Sequence, residues 1–392
     1  MTPVHVLTFT NLYPSARMPQ HGLFVRERMT RLCRRNGWRL TVVAPLPRSL
    51  PLPGRAGKLF AVPAREQVDG VTVHHPRYLH VPRLSVRRQW RNMARGCRTL
   101  VQRLVRDEQV SLIDAHYLYP DACAAVALAQ EVGVPCIATA RGSDVNVLPQ
   151  DPAIAATLRT WLPRARRRLA VSQALAARLA ALLQVPTERI VVVPNGVDTE
   201  RFHPGPQAAA RAALGLPGSG RLVLAVGRMV PIKRFDLLLR AFAALPGADV
   251  RLAIVGDGPE RAALTALMAS LGVTDRVILL GERPPQQVAE AMRAADLFAL
   301  TSDNEGWPNV VMEALAAGLP VVARAVGGVP EIVTAAQGQL VAEGTPAAFG
   351  AALARELATR RDPAASVARA VALGWERTLA RLTEVVQEAL AS

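Results

Sequence analysis

Short runs of β-branched and apolar residues alternate along the chain with longer segments of helical periodicity, a pattern typical of parallel α/β sheets. In the first half, strand-like runs lie at 4–10, 40–44, 110–115, 135–140, 168–172 and 190–193. The pattern restarts in the second half, with runs at 221–226, 250–255, 276–280, 296–301 and 320–323. The chain is therefore predicted to be α/β, with two doubly wound parallel sheets.

A stretch rich in turn-forming residues separates the two halves of the chain. It runs from residues 194–198, with the sequence PNGVD, to Pro206, and residues of this kind end regular secondary structure. We therefore expect one Rossmann-like domain over residues 1–200 and a second over residues 201–373, facing each other across a cleft. Residues 374–392 are predicted to form a final amphipathic helix that packs on either domain, including the first.

The composition is that of a globular protein and excludes several other classes. Of the 392 residues, 50% are hydrophobic and 20% are charged, as is usual in soluble domains. No apolar run reaches the ~18 residues that a membrane-spanning helix needs, and the first residues lack the basic-then-apolar pattern of a secretory signal. The four cysteines form no C-x-x-C pair and have no histidines at zinc spacing, which indicates reduced thiols in a cytoplasmic protein and predicts no metal site.

The net charge of +16 is confined to the first half of the chain. Residues 1–190 carry 28 Lys and Arg against 11 Asp and Glu, whereas residues 191–392 carry 19 against 20. A domain of this charge attracts nucleic acid, an anionic membrane or an acidic ligand. Nucleic acid is disfavoured because the chain has no recognition motif, and aromatic residues, which stack on bases, make up only 4% of it.

Arginines are densest in residues 83–106, which contain eight of them and no acidic residue. Apolar residues recur there at intervals of three and four, at Val86, Trp90, Met93, Cys97, Leu100 and Leu104. Such a helix packs its apolar stripe on a sheet and leaves its arginines in solvent, where they can also contact anionic lipid. The two interpretations are compatible, so attachment of the first domain to an anionic membrane surface is a hypothesis.

The strongest local signal for chemistry follows the predicted strand at 221–226. Residues 227–233 (GRMVPIK) begin with Gly227, which lets a ligand approach the backbone, and carry the cations Arg228 and Lys233. Two cations on one loop suit a diphosphate, since Arg offers a planar fork and Lys a point charge. A solvated basic loop is the alternative, although Lys233 is one of only two lysines in the chain.

A second signal lies after the predicted strand at 296–301. A Gly-Trp-Pro-Asn turn leads into a helix that we expect to begin near Asn309, with the N–H groups of its N-terminus facing an anion. Glu305 in the loop and Glu313 about one turn into the helix can border one pocket. A buried carboxylate needs hydrogen bonds, for example from sugar hydroxyls. The alternative is that Glu313 caps nearby backbone or pairs with an arginine.

Three further features have both a structural and a functional interpretation. His116 follows the predicted strand at 110–115 and is either a core residue or a side chain facing the cleft. Asp144 is either an Asx-turn residue or a carboxylate that contacts substrate. Residues 256–259 (GDGP) are most simply a turn, and a position beside a nucleotide base is the second interpretation.

Taken in order, these motifs resemble those of the retaining nucleotide-sugar glycosyltransferases of family 4, over essentially the whole chain. The resemblance rests on two glutamates separated by seven residues, the upstream Gly-Arg…Lys loop, and the PNGVD segment at the interdomain linker. Residues 13–25 (YPSARMPQHGLFV) and 141–146 (RGSDVN) look most like the teichuronic-acid type of bacterial surface-polysaccharide transferases. The resemblance implies the GT-B fold, which has two Rossmann-like domains.

The resemblance also implies a donor site in the second domain. Arg228 and Lys233 match the family's diphosphate-binding pair. Glu313 matches the glutamate that holds the ribose hydroxyls, and Glu305 matches the one near the donor hexose. The other implied donor contacts are Gly227 and the backbone of Gly306, Trp307, Pro308, Asn309 and Val310.

In the first domain, His116 matches the histidine placed near the transferred sugar, and the implied catalytic set is His116 with Arg228, Lys233 and Glu305. Gly22 matches the glycine of the first loop, which approaches the donor phosphate. Arg141 and Asp144 are the implied acceptor-side residues. The chain departs from the family's pattern at His21, where a second glycine is frequent, and at Arg141, where histidine is frequent, so the acceptor stays open.

The implied protein is a cytoplasmic, retaining, metal-independent glycosyltransferase of surface-polysaccharide biosynthesis, peripheral at the inner face of the membrane in the hypothesis above. It would move a hexose-type sugar from a nucleotide sugar, with UDP-sugars favoured over GDP-mannose, to a glycan or polyprenyl-diphosphate-linked acceptor. No cofactor is expected, because the nucleotide sugar is a substrate. A GT-B nucleotide-sugar epimerase, which would need no acceptor, is the alternative. A catalytically silent interaction protein is disfavoured because the matched site residues are all present.

Overall fold

The computed structural model describes residues 3–48, 59–81, 84–247 and 249–391. The chain divides into a first unit, made of residues 1–194 and 378–392, and a second unit, made of residues 195–377. Each unit contains its own parallel sheet. The C-terminal residues belong to the first unit, although they follow the second unit in sequence.

The first unit is built on a parallel sheet with one antiparallel edge. Its strands, within the described residues, are β1 (His5–Phe9), β2 (Arg39–Val43), β3 (Leu46–Pro47), β4 (Arg65–Val68), β5 (Val71–His74), β6 (Arg77–Tyr78), β7 (Leu112–His116), β8 (Cys136–Ala140), β9 (Arg167–Ala170) and β10 (Ile190–Val192). The main sheet has the order β10-β9-β8-β7-β1-β2-β5-β4, and β3 pairs with β6 separately. Strand β4 runs antiparallel to β5.

Helices connect these strands and cover the sheet. In the described residues of this unit they are α1 (Leu23–Asn36), α2 (Gln89–Glu108), α3 (Cys123–Val132), α4 (Ser143–Asn146), α5 (Pro152–Trp161) and α6 (Gln173–Leu183). Shorter turns lie at Val86–Arg88, Leu118–Ala122, Leu148–Gln150, Leu162–Arg164 and Thr187–Arg189. Every residue of β1, β7 and β8 is buried, as expected for parallel strands covered on both faces.

The second unit has an all-parallel sheet. Its strands are β11 (Arg221–Val226), β12 (Val250–Val255), β13 (Val277–Gly281), β14 (Leu297–Leu300), β15 (Val321–Arg324) and β16 (Gly338–Val341). Their order is β13-β12-β11-β14-β15-β16, so the strands run outward in both directions from β11. This is the strand order of the Rossmann fold, and it confirms the predicted doubly wound sheet.

The helices of the second unit alternate with its strands. Within the described residues they are α7 (Gln207–Ala213), α8 (Phe235–Ala243), α9 (Arg261–Ser270), α10 (Pro285–Ala294), α11 (Asn309–Ala316), α12 (Val329–Ile332), α13 (Pro346–Ala358) and α14 (Pro363–Ala372). Single turns lie at Pro231–Lys233 and Thr274–Arg276. The last helix, α15 (Trp375–Ala391), joins the first unit from Thr378 onward, where Thr383 accepts a 2.9 Å hydrogen bond from Asn36 of α1.

All strand-like runs of the sequence are strands in the structure, with ends that differ by at most two residues. Five strands were missed: the two-residue strands β3 and β6, and β4, β5 and β16. Strands β4 and β16 lie at sheet edges. Strand β4 has exposed polar residues at Arg65 and Gln67, and neither edge strand contains a long apolar run.

The arginine-rich helix is α2, and its apolar stripe packs inward as the first interpretation required. Trp90, Met93, Cys97 and Leu104 are all at most 6% exposed. Arg83, which opens the predicted helix, lies outside the described residues.

Candidate functional site

Each sheet has a point where the strand order reverses, and in open α/β sheets ligands bind beyond the carboxyl ends of the strands at such a point. In the second unit the reversal lies between β11 and β14. The segments that follow these strands are 227–233 and 301–309, the two segments with predicted chemistry. In the first unit the reversal lies between β1 and β7. The loop after β1 contains Gly22, and β7 ends at His116.

The two segments of the second unit are in direct contact. Thr301 Oγ1 donates to the carbonyl oxygen of Lys233 at 3.0 Å, and the backbone N–H of Asp303 donates to the carbonyl oxygen of Ile232 at 2.9 Å. Lys233 Nζ also donates to Glu305 Oε1 at 2.6 Å. The predicted diphosphate-binding lysine and the predicted hexose-side glutamate therefore form an ion pair, with side chains 24% and 11% exposed.

The second predicted cation of this site, Arg228, is in a different state. Its side chain is exposed, and it has no hydrogen-bond or ion-pair partner among the described residues. Because Lys233 is paired with Glu305, the unpaired guanidinium of Arg228 leaves net positive charge in the loop after β11. This arrangement attracts an anionic ligand, and a phosphate group is well matched to the planar guanidinium.

Two glycines that sequence reasoning did not assign to the site hold its loops. Gly256 has φ of 138°, and a β-carbon there would collide with the carbonyl oxygen of Gly227. Gly327 has φ of 51°, and a β-carbon there would collide with the carbonyl oxygen of Glu305. Each glycine lets a neighbouring loop pack against a site loop, a close approach that no other residue type permits. The predicted turn at 256–259 therefore packs directly against the loop that begins at Gly227 and helps to hold it in place.

Helix α11 begins at Asn309, where the sequence predicted, and no side chain caps its N-terminus. The N–H groups of Asn309 and Val310 donate no hydrogen bond within the described residues, as is usual for the first turn of a helix. Asn195, in the PNGVD segment, donates to Asn309 Oδ1 at 3.2 Å. Trp307 is 7% exposed, and its indole N–H has no acceptor in the described part of the chain. These groups are available to an anion or a hydroxyl.

Glu313 lies one turn into α11, and its carboxylate has no hydrogen-bond partner among the described residues. Burial raises the pKa of Glu313 to about 7, and the Arg201 guanidinium opposes this shift. Among the described residues the Glu313 carboxylate therefore caps no backbone group, and Arg201 acts on it through its charge without a hydrogen bond. Glu313 is half-buried, and a carboxylate without an internal hydrogen bond is suited to accept hydrogen bonds from ligand hydroxyls.

His116 is the last residue of β7, and its ring is buried, which agrees with the core interpretation, while its catalytic role stays a prediction. The side chain has no exposed surface, and Arg141 Nη2 donates to His116 Nδ1 at 2.6 Å. Burial, reinforced by the Arg141 and Arg28 guanidinium groups, holds the pKa of His116 well below its usual value, so the ring is neutral. The hydrogen bond to His116 Nδ1 thus helps to hold the Arg141 guanidinium in position.

Asp144 has a structural role, because its carboxylate accepts hydrogen bonds from the protein itself. The side chain has no exposed surface. It accepts hydrogen bonds from the backbone N–H groups of Leu118 at 2.8 Å, Gly142 at 2.7 Å and Arg141 at 3.0 Å. These bonds fix the turn that carries Arg141, which agrees with the structural interpretation of Asp144, and its acceptor-side role stays a prediction.

The loop after β1 is fixed by contacts that the sequence did not indicate. Asp121 is fully buried and accepts hydrogen bonds from Asn11 N at 2.7 Å and Asn11 Nδ2 at 3.0 Å. Burial raises the pKa of Asp121 well above its usual value. At Gly22, with φ of 72°, a β-carbon would collide with the backbone of Leu12. Gly22 therefore lets this loop fold back on itself at the start of α1.

A cavity of about 220 Å³ opens at this end of the first unit. Pro45, Leu46, Pro47, Leu59 and Met18 supply apolar surface, and Asn11, His21, Tyr78, His80 and Gln89 supply polar groups. A larger groove of about 590 Å³ lies at the opposite, amino-terminal ends of β8 and β9. The smaller cavity is the better candidate for substrate, because parallel sheets bind ligands at their carboxyl ends.

Among the described residues, no group of three His, Cys, Asp or Glu side chains is placed to hold a metal ion. In the same residues no helix has both the length and the apolar character needed to cross a bilayer. The four cysteines are buried and unpaired, as predicted.

Two sequence-family models match consecutive parts of the chain: Glycosyltransferase Family 4 over residues 25–201 and Glycosyl transferases group 1 over residues 206–370. A D-inositol 3-phosphate glycosyltransferase of Thermobispora bispora is 40% identical over 234 residues, covering 55% of this chain and 54% of the relative. This chain thus spans about half the length of that relative. TuaC, a teichuronic acid biosynthesis glycosyltransferase of Bacillus subtilis, is 32% identical over 359 residues, covering 89% of this chain and 88% of TuaC.

Solved structures share the fold over nearly the whole chain. Sucrose-phosphate synthase from Thermosynechococcus elongatus has a TM-score of 0.81 at 21% identity and covers 99% of both chains. Anabaena HepE in complex with UDP-glucose has a TM-score of 0.74 at 20% identity, covering 98% of this chain and 99% of HepE. At these identities the likeness concerns the fold.

Proposed function

The chain belongs to the GT-B glycosyltransferases of family 4, and from this premise we propose that it is a retaining hexosyltransferase. The donor is a nucleotide diphosphate sugar, and the acceptor is a glycan or a polyprenyl-diphosphate-linked glycan of a surface polysaccharide. The observation that carries the proposal is the meeting of segments 227–233 and 301–309 at the switch point of the second sheet. An unpaired arginine, a positioned lysine and open helix N–H groups lie there together.

The donor's diphosphate is proposed to bind Arg228, Lys233 and the first N–H groups of α11. Cleavage of the sugar–diphosphate bond builds negative charge on the leaving group and oxocarbenium character on the sugar. Because Glu305 holds Lys233 before the donor arrives, the cation is already placed for that charge and little reorganisation is needed. Glu305 also borders the hexose. We assign no covalent nucleophile, and the leaving phosphate assists deprotonation of the acceptor on the same face of the sugar.

The nucleotide is proposed to be UDP in preference to GDP. The unsatisfied carboxylate of Glu313 accepts hydrogen bonds from the ribose hydroxyls, which replaces the solvent that burial removed. The HepE structure with UDP-glucose supports a uridine donor by analogy of fold. The relatives reported above are described as transferases and synthases, so they lend no support to the epimerase alternative.

The acceptor is proposed to enter the first unit through the 220 Å³ cavity. Its polar groups suit sugar hydroxyls, and its apolar wall suits a sugar face or the start of a lipid. Arg141 lies at the carboxyl end of β8 and offers a cation for an anionic acceptor group. With an acceptor on a polyprenyl diphosphate, the protein works in the cytoplasm as a peripheral protein at the inner face of the membrane, and the basic first unit favours that position.

Donor binding is the first test of the proposal. We expect UDP-glucose or a related UDP-sugar, at about 100 times its Kd, to stabilise the protein by roughly 2.7 kcal/mol, which raises Tm by several degrees. Thermal shift across UDP-, GDP- and ADP-sugars measures this, and GDP-mannose is expected to have a smaller effect. Absence of a shift with every nucleotide sugar would contradict the donor-site assignment.

Metal independence is a second expected result. Arg228, Lys233 and the N-terminus of α11 already supply the charge that Mg²⁺ supplies to diphosphates in other enzymes. Protein treated with EDTA should therefore transfer sugar at a rate comparable to untreated protein, measured as UDP release. If EDTA treatment abolishes transfer, and Mg²⁺ or Mn²⁺ restores the rate where NaCl does not, the proposed diphosphate site is wrong.

A further inference from the structure

Exposed apolar side chains are concentrated at one place in the first unit. Among the described residues seven large apolar side chains are exposed, and four of them belong to two segments of the first unit that precede α2: Leu79 at 61%, Val81 at 42% and Leu84 at 85% in the second segment, and Phe60 at 54% in the first. We call these four side chains the apolar rim. Scattered single exposures are ordinary on a protein surface, whereas a cluster indicates an interaction site.

The backbone that carries the rim is held in place. The Arg77 guanidinium donates to the carbonyl oxygens of Leu59 at 2.8 Å and Val62 at 2.5 Å, on either side of Phe60. Asn92 Nδ2 of α2 donates to the carbonyl oxygen of Leu79 at 3.0 Å. Ser85 Oγ accepts from the backbone N–H of Val81 at 2.8 Å. The rim is therefore presented by a bonded framework, and its side chains stay in solvent although their backbone is packed.

Helix α2 places cations beside this rim. Arg95 lies three residues after Asn92, a spacing that places both on one helical face, and Arg88 is the residue directly before α2. Because Asn92 bonds to the backbone of Leu79, that face borders the rim. Arg88 and Arg95 are exposed and have no acidic partner among the described residues, in contrast to Arg98, which pairs with Glu131 at 2.8 Å.

The apolar stripe of α2 itself cannot supply the lipid contact, because Trp90, Met93 and Cys97 are buried in the unit. Unpaired arginines next to exposed apolar side chains match a surface that is anionic at its face and apolar beneath. An anionic phospholipid bilayer has both properties. A nucleic acid or an acidic protein would use the arginines and leave the apolar rim in water.

We infer that the apolar rim and the arginines Arg88 and Arg95 form one docking surface for an anionic bilayer, with the rim side chains inserted among the headgroups. The inference deepens the proposed function and rests on it in one respect, since it assumes that the acceptor is held at the membrane. Leu59, Tyr78 and His80, which line the 220 Å³ cavity, are sequence neighbours of Phe60, Leu79 and Val81. The docking surface therefore lies beside the proposed entrance for the acceptor.

Vesicle co-sedimentation of the full chain tests the surface. Wild type should bind vesicles that contain phosphatidylglycerol at low salt and release at high salt, and should bind vesicles of phosphatidylcholine alone much more weakly. The double variant Leu79→Asp/Leu84→Asp should bind the anionic vesicles at least tenfold more weakly. Val371→Asp is the matched control, since Val371 is 59% exposed in the second unit, and it should bind as wild type does.

A charge series separates the arginines from the rim. Arg88→Glu/Arg95→Glu should lose low-salt binding, whereas Arg360→Glu, at an exposed arginine of the second unit, should keep it. All variants should melt cooperatively and keep the thermal shift with UDP-glucose, because none touches the donor site.

Two results would contradict insertion of the apolar rim, even if the thermal shift with UDP-glucose is intact. Either the wild type does not bind anionic vesicles, or Leu79→Asp/Leu84→Asp binds them as strongly as the wild type does. A missing UDP-glucose shift with vesicle binding preserved would instead contradict the proposed donor and leave the docking surface standing.

Discussion

Replacement of Lys233 by alanine is expected to lower kcat/KM for sugar transfer by a factor on the order of 10² to 10³, the usual loss when one preorganised donor to a developing negative charge is removed. Lys233 Nζ is held 2.6 Å from Glu305 Oε1, so a fixed cation awaits the diphosphate. Its removal weakens donor binding and raises the barrier to departure of the leaving group. Initial rates of UDP release and the donor Kd from calorimetry measure the two effects.

Two variants control this experiment. Arg240→Ala removes an exposed cation from α8 of the same unit and should leave both constants unchanged. Lys233→Arg keeps the charge and should retain more activity than Lys233→Ala. The alanine variant should still melt cooperatively, because Lys233 is 24% exposed and supports no core. If Lys233→Ala keeps the wild-type kcat/KM, the assignment of Lys233 to the donor site is wrong.

Replacement of Glu313 by alanine is expected to abolish measurable transfer and to raise the donor Kd by roughly 10- to 100-fold, since hydrogen bonds to a charged group contribute about 1.5–3 kcal/mol. The carboxylate makes no hydrogen bond within the described residues, so its loss breaks no hydrogen bond of the protein and removes only the charge interaction with Arg201. Calorimetric titration with the UDP-sugar gives the Kd. Glu343→Ala, at an exposed acid of the same unit, should bind the donor normally.

The pH dependence of Glu313 provides an independent measurement. Burial raises its pKa from 4.5 to about 7, so the folded chain holds this proton more tightly than the unfolded chain. The resulting stability is complete below pH 4.5 and is lost as the pH rises through 7. Denaturant unfolding should therefore show Glu313→Gln gaining stability relative to wild type between pH 5 and pH 8. An unchanged difference between the two proteins across this range would mean that Glu313 titrates normally.

Donor binding should respond to the same titration in the opposite sense. The ribose hydroxyls donate to the ionised carboxylate, so donor affinity is expected to increase as the pH rises through 7. In Glu313→Gln the affinity should be independent of pH over this range. The comparison separates loss of the charge from loss of the fold, because the glutamine side chain has nearly the same shape.

The donor side of the site could be predicted from sequence because each part of it is local. Segment 227–233 directly follows β11, and Glu305, Asn309 and Glu313 follow β14 within one loop and one helical turn. A parallel sheet brings the carboxyl ends of its strands to one edge, so residues placed after strands share that edge without further information. The contact of Lys233 with Glu305, however, joins residues 72 positions apart, and its geometry came only from the fold.

The first unit was less predictable because its decisive contacts are long-range and buried. Whether His116 contacts substrate or Arg141 depends on the conformation of the loop after β8. Asp144 fixes that conformation by accepting hydrogen bonds from three backbone N–H groups. Asp121 reaches 110 residues back to Asn11 without a motif that marks it. Side chains of these types are common in cores and in sites alike, so residue type and spacing alone could not separate the two.

The sequence by itself determined the α/β class, the two doubly wound sheets, the positions of the longer buried strands and the loops that carry the donor chemistry, because hydrophobic period and turn residues act over a few neighbours. Only the tertiary structure decided which polar groups are satisfied internally and which stay open to a ligand. It buried His116 and Asp144 among backbone and arginine partners, left Glu313 without a hydrogen bond, and left Leu79 and Leu84 in solvent beside unpaired arginines. The physical reason is that desolvation and pairing depend on everything that packs around a group, and in this protein most of those neighbours are distant in the chain.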